Sequence, residues 1–304
     1  MNKHVIALAL TALACGGAVA QANDTLAKIK SKGEITLGTR DSSGALAFTI
    51  GDGKYVGFHT EMAENISADI QKQLGLPKLT INKQLVTSQN RIPLVVNGTV
   101  DLECGSTTNN ATRQKDVAFA VTTFVEEVRI AVRADSGIAS VKDLNGKNVV
   151  TTTGTTSVQT LRKNERAGGI DFKELYGKDH SDSFLLLESG RADAFVMDGS
   201  ILGSNIAKSK SPKDYAIVGE VLSVEPIAIM IRKDDPKFKA AVDDYIRKAM
   251  KDGELKILYS KWFEKPIPPK NVAVNLPMGK ILSDLLKAPN DKPAEAFNAP
   301  VAAK

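Results

Sequence analysis

The chain has 304 residues, 42% of them apolar and 25% charged, with 40 lysines and arginines against 35 acidic residues and a formal charge of +5. This is enough for two globular domains. Its lysines are scattered through helical segments rather than gathered with aromatics, so solvated faces explain them better than a nucleic-acid surface does.

Lys3 precedes an apolar run over residues 5–14, and Ala18-Val19-Ala20 or Ala20-Gln21-Ala22 offers small residues to a signal peptidase. Residues 1–22 therefore read as a secretory leader, too short to span a bilayer. Cys15 raises a lipoprotein alternative, disfavoured because Leu13 lies one position closer to it than a lipobox places its leucine. Without Lys3 the charge is 39 − 35, or +4, and Cys104 is left alone, so no internal disulfide can form.

A helix is expected over Thr25–Lys32, then an alternating strand over residues 35–38 that ends just before Arg40. Residues 55–58 read as a strand or turn, 62–74 as an amphipathic helix, 79–84 as a strand and 92–97 as a short helix. Residues 100–102 form an apolar strand that opens into Glu103-Cys104-Gly105-Ser106-Thr107-Thr108-Asn109-Asn110-Ala111-Thr112-Arg113. Asn110 suits a helix N-cap, with Arg113 in the first turn. A cation there opposes the macrodipole, which makes sense if it meets an anion that also uses the free N–H groups and the hydroxyls of Ser106 and Thr108.

After Phe124 the pattern restarts: strand 128–132, short helix 141–144, strand 148–152, and Gly154-Thr155-Thr156-Ser157 leading into a helix over 158–165. This second meeting of hydroxyls and helix N–H groups also suits an anion. It lacks the glycine-lysine of a P-loop and the glycine spacing of a dinucleotide fold, so nucleotide binding is not expected. A helix over 183–189, a buried strand over 194–197 delivering Asp198, a final apolar strand over 227–231 and helices over 236–252 and 255–263 complete the body. A short helix over 279–287 is expected in the tail, with the last dozen residues disordered. Strands alternating with helices argue for α/β layers.

Read together, Ser88-Gln89-Asn90-Arg91-Ile92-Pro93, the stretch from Glu103 to Asn110, Leu187-Glu188-Ser189-Gly190-Arg191-Ala192, and Lys261-Trp262-Phe263 followed by Pro266-Ile267-Pro268-Pro269-Lys270 give the chain a family likeness. From about residue 26 to 291 it resembles the periplasmic glutamate/aspartate-binding proteins of ABC importers, among the polar amino-acid solute-binding proteins. The resemblance implies an α/β, two-lobed type II periplasmic-binding-protein fold, each lobe a mostly parallel sheet flanked by helices, with the ligand cleft between lobes. Residues 23–128 and 227–270 would form the first lobe, 129–226 the second, and 271–304 a C-terminal extension. Some relatives carry a second cysteine near Ile229, a bridge this chain would lack.

Site roles follow from the same resemblance. Arg113, helped by Thr108, would clamp an α-carboxylate, and Asp198 with Ser106 would receive the α-ammonium. Arg40, Ser88, Arg91, Thr156 and His180 would gather at the ligand's side-chain end, with Thr155 beside them. Two guanidiniums and an imidazole suit a carboxylate, and a neutral amide would leave such a site over-positive. Ala45-Leu46-Ala47-Phe48 stands where this family has a proline and aromatic residues over the ligand, implying an altered lid at Leu46 or Phe48. Gly199 replaces a second acidic residue.

The expectation is thus a monomeric periplasmic receptor for L-glutamate or L-aspartate serving ABC membrane subunits, without cofactor, metal or nucleic acid. Three alternatives stay open: a glutamine or asparagine receptor, a periplasmic dehydratase of the same fold, and a sensor subunit. Against catalysis stand the lack of a nucleophile elbow, of metal-ligand spacing among His4, His59 and His180, and of a carboxylate pair for acid–base work.

Overall fold

The computed structural model describes residues 24–298, so the leader lies outside the described residues. Helix α1 (Thr25–Lys32) is capped by Asp24, whose side chain accepts from the Ala27 N–H at 2.8 Å, and ends at Gly33 in the left-handed region. There follow β1 (Glu34–Thr39), the short strands β2 (Ser42–Ser43), β3 (Ala47–Thr49) and β4 (Tyr55–Val56), α2 (Phe58–Gln73), β5 (Thr80–Leu85), α3 (Arg91–Val96), β6 (Leu102–Glu103) and β7 (Val117–Phe119). The expected helix at Arg113 is only a three-residue 3₁₀ turn, Arg113–Lys115. Its N-cap position is Thr112 rather than Asn110, although Asn110 Oδ1 accepts from the Arg113 N–H at 2.8 Å, and three residues have no macrodipole for a cation to oppose.

The second half holds β8 (Phe124–Arg133), β9 (Asn148–Thr152), α4 (Thr156–Gly168), β10 (Lys173–Gly177), α5 (His180–Glu188), β11 (Ala194–Asp198), α6 (Gly199–Lys208) and β12 (Tyr215–Ile227). The chain then returns through β13 (Met230–Arg232), α7 (Pro236–Lys251) and α8 (Glu254–Tyr259), and closes with a small hairpin, β14 (Pro266–Ile267) and β15 (Val272–Ala273), and helices α9 (Lys280–Lys287) and α10 (Ala294–Phe297). The single strand expected over 227–231 is interrupted at 228–229, between β12 and β13.

Two five-stranded sheets result, ordered β5-β1-β6-β13-β7 and β10-β9-β11-β8-β12. In each, three parallel strands are joined by two that run antiparallel to their neighbours. The chain passes between the sheets twice, at 120–123 and at 228–229, where Phe124 and Ile227 are paired. Each sheet has its own apolar core: Ile35, Leu37, Ile66, Ile70, Val242 and Ile246 belong to the first, and Val128, Ile130, Val149 and Val196 to the second. Beside the crossing, Phe58, Phe124, Tyr259 and Phe263 pack ring to ring with centroids 4.7–6.3 Å apart, a rigid footing for both passages.

The tail is ordered as far as the structure describes it. Ala294 N–H donates to Asn109 O at 2.9 Å, and Asn298 bonds both the N–H and the C=O of Val224 at 2.9 and 2.7 Å. The expectation of disorder therefore fails for residues 293–298, whose anchors are polar backbone contacts that leave no apolar period to read; residues 299–304 lie outside the described range.

Candidate functional site: the cleft between the two sheets

The site residues expected from sequence sit where strands end, as open α/β sheets place ligands. Arg40 follows β1, Ser88 follows β5, Ser106 and Thr108 follow β6, Thr155 and Thr156 follow β9, His180 opens α5 after β10, and Asp198 closes β11. All lie in one interface between the sheets.

Arg40 is fully buried, and its Nη2 donates to Ser88 Oγ at 2.9 Å and contacts His180 Nε2 of the opposite lobe at 3.1 Å. A guanidinium can only donate, so Nε2 accepts and the neutral ring carries its proton on Nδ1, which donates to Thr152 Oγ1 at 3.0 Å. Burial, then the charges of Arg40 and Arg91, hold His180 well below its ordinary pKa. The imidazole thus orients Arg40 rather than adding a third positive charge.

Arg113 joins the lobes: Nη1 donates to Thr108 O at 2.8 Å and Nη2 to Gly154 O at 3.3 Å. Ser106 Oγ meets Ser43 Oγ at 3.0 Å. Thr155 turns its hydroxyl back to Thr152 O at 2.7 Å. That use by its own strand end takes its hydroxyl out of the cleft.

Several buried polar atoms find no partner: Nε and Nη1 of both Arg40 and Arg91, Oδ1 of Asp198, Oε1 of Glu103, Oγ1 of Thr39 and Oγ of Ser42. An orphaned buried donor or acceptor costs about 1–3 kcal/mol, so such a concentration around one cleft marks a surface shaped for a charged guest.

Three carboxylates escaped the reading from sequence. Glu103 is fully buried, accepts from Thr107 Oγ1 at 2.5 Å, and is the leading counter-charge to Arg40. Glu126 of β8 receives the Ser200 hydroxyl and N–H at the start of α6, and burial pushes its pKa up to about 8. Glu225 of β12 accepts two hydroxyls. Burial, then Glu126 and Glu225, raise Asp198 well above the usual carboxylate range.

Leu46 and Phe48 are fully buried and belong to the first lobe's core; Phe48 lies edge-on to Trp262 with ring centroids 6.0 Å apart and carries Lys208 of α6 over its ring, Nζ 4.3 Å from the centroid. A separate cavity of about 470 Å³, lined by Phe124, Glu126, Tyr259 and Leu282 among others, contains none of the expected ligand contacts. Among the described residues no His/Cys/Asp/Glu cluster is placed to hold a metal ion, and no helix is long and apolar enough to cross a membrane.

The family model of bacterial extracellular solute-binding proteins, family 3, matches residues 35–265. The chain belongs to that family. It is 44% identical over 272 residues to the L-glutamate/L-aspartate-binding protein of Pseudomonas aeruginosa, covering 89% of this chain and 90% of that one. It is 42% identical over 299 residues to the glutamate/aspartate import solute-binding protein of Escherichia coli strain K12, covering 96% and 99%. Among solved structures, the ancestral amino acid-binding protein AncCDT-1, a precursor of cyclohexadienyl dehydratase, matches with a TM-score of 0.68 at 28% identity over 79% of this chain and 99% of its own. In this solute-binding protein the extension beyond residue 265 lies outside the family match but bonds to Asn109 and Val224 on either side of the crossing.

Proposed function

We propose that this protein is a periplasmic receptor that closes its two lobes around L-glutamate or L-aspartate and presents the closed form to an ABC importer. The observation that carries this reading is the pair of buried guanidiniums, Arg40 and Arg91, with four unpartnered nitrogens beside the unpartnered Asp198 oxygen. An acidic amino acid supplies both needs, carboxylate oxygens for the donors and an ammonium for the acceptor. Arg113 would take the α-carboxylate, Asp198 and Ser106 the ammonium, and Arg40 and Arg91, braced by Ser88 and His180, the side-chain carboxylate. The relatives named for glutamate and aspartate support the same ligands, and their being binding proteins supports a role without turnover.

Glu103 favours one competing reading, because a carboxylate that offsets Arg40 makes room for a neutral amide such as glutamine or asparagine. A calorimetric screen of the amino acids decides between them. Glutamate or aspartate should bind most tightly, and a tighter glutamine or asparagine would overturn the assignment. Release of an altered product would point instead to an enzyme.

Gly154 tests closure. It has φ of +81°, and a Cβ there would lie 2.7 Å from Ser88 O and 2.8 Å from Gln89 Cα and N in the opposite lobe. Gly154→Ala should leave the lobes folded, at a local strain of about 1–2 kcal/mol, but lower glutamate affinity by roughly tenfold or more because the lobes cannot meet. Calorimetry with glutamate checks this, and affinity within about twofold of the parent would show that so close an approach is not needed.

A further inference from the structure

The cavity of about 470 Å³ beside the crossing is bounded on one side by β8 and the start of α6, and on the other by the extension, whose Leu276, Pro277 and Leu282 form an apolar wall outside the family match. Glu126 lines it and is 2% exposed. Its Oε1 accepts from the Ser200 hydroxyl and its Oε2 from the Ser200 N–H at 3.3 Å, which leaves each oxygen a further lone pair. Among the described residues it joins no ion pair, and the charges that act on it most are those of Glu225 and Glu127, both negative. The two cations on the cavity's rim already have acids of their own, Arg129 with Glu127 at 3.6 Å and Lys280 with Asp284.

Tyr259 lines the same cavity and is 3% exposed, its ring stacked on Phe124 and Phe263 with centroids 5.9 and 4.7 Å apart. Those contacts fix the ring, yet among the described residues its hydroxyl has no hydrogen-bond partner. Burial, then the charges of Glu126 and Glu264, raise its pKa. A buried carboxylate without a cation and a buried hydroxyl without a partner therefore border one space.

We propose that this cavity is a second binding site, one for a small primary ammonium with an apolar body, held by Glu126 and Tyr259. It is separate from the cleft between the lobes and does not rest on which amino acid that cleft takes.

A buried carboxylate is relieved either by a proton or by a cation. Burial raises Glu126 to about 8, so a proton can serve, but a proton needs no room and the space beside Glu126 is what a cation requires. An ammonium has three donors and no acceptor, which matches the spare lone pairs of Glu126 and of the Tyr259 oxygen. An apolar body then lies against Phe124, Leu276 and Leu282. An anion would instead meet Glu126 and Glu127, and a neutral molecule would leave Glu126 without a counter-charge. The volume falls within the range of small-molecule sites. Glu126 is also the leading like charge on Asp198, so a cation held beside it acts on the cleft without entering it.

Calorimetry on the full chain with phenethylamine tests the site, beside its neutral analogue 2-phenylethanol and its anionic analogue 3-phenylpropionate. The amine should bind with a Kd of about 1 mM or tighter, and both analogues at least about tenfold more weakly. Glu126→Gln keeps the shape and removes the charge, and should weaken the amine by about tenfold or more. Leu276→Trp fills the cavity from the extension and should abolish binding. Should Glu126→Gln not fold, 2-phenylethanol still decides the need for charge and Leu276→Trp the place. Saturating L-glutamate should leave the amine bound.

Absence of amine binding at about 10 mM, equal binding of 2-phenylethanol, or parent affinity in a folded Leu276→Trp or Glu126→Gln variant would overturn the site. Displacement of the amine by L-glutamate would place it in the cleft and overturn the site equally, while leaving the reading of the cleft intact.

Discussion

Arg113→Ala is expected to weaken glutamate and aspartate together, by about 2–5 kcal/mol, because the α-carboxylate common to both would be buried against a missing charge-assisted partner. The geometry adds a second source of loss. Arg113 also ties Thr108 O in one lobe to Gly154 O in the other, at 2.8 and 3.3 Å, so its removal costs closure as well as contact. Calorimetry of both ligands gives the affinity term, and small-angle scattering at saturating ligand shows whether the radius of gyration still falls. Affinities within about twofold of the parent would refute the clamp. Selective loss of one ligand would move Arg113 to the side-chain end.

Much of the architecture was legible because its signals are local. The helix at Thr25–Lys32 and the strand at Asn148–Thr152 have the expected bounds, the first fixed by Asp24 and Gly33 at its ends. The long strand β12 was not legible. It shifts register against β8 between Val218 and Ser223 and is half-exposed over much of its length, so it has no clean alternation to read. The edge strand β5 falls where a strand was expected over 79–84, although all six of its residues are exposed.

The candidate site was read through family motifs rather than from single positions. Arg40 after a strand and Arg91 in a short helix would singly read as surface residues, and only the resemblance set them beside His180. Glu103, Glu126 and Glu225 are written like any surface glutamate, and only the fold reveals that all three are buried against hydroxyl partners. A glutamate two residues before the apolar segment 227–231 is the one cue that could have singled out Glu225. Leu46 and Phe48 are ambiguous in sequence, since an apolar residue near a cleft and one in the adjoining core look the same there.

Arg91→Met tests the preference for an acidic ligand, because Arg91 is 2% exposed and carries two nitrogens without partners. Glutamate and glutamine differ little in shape, so discrimination must come from charge and hydrogen-bond polarity. Glutamine's NH₂ would set donors against the donors of Arg40 and Arg91, leaving groups unpaired at about 1–3 kcal/mol each. The parent should therefore prefer glutamate by at least about tenfold. Methionine keeps much of the arginine's apolar stem but removes the charge, and Glu103 is then left facing an anionic side chain with one guanidinium fewer to offset it. Glutamate should weaken far more than glutamine, while Arg113 and Asp198 continue to serve the groups both ligands share. Titrating both amino acids into both proteins at constant salt and pH measures the change in the gap. Equal weakening of the two would remove Arg91 from the side-chain end, and a parent that binds glutamine as well as glutamate would mean that Glu103 already neutralises the cluster.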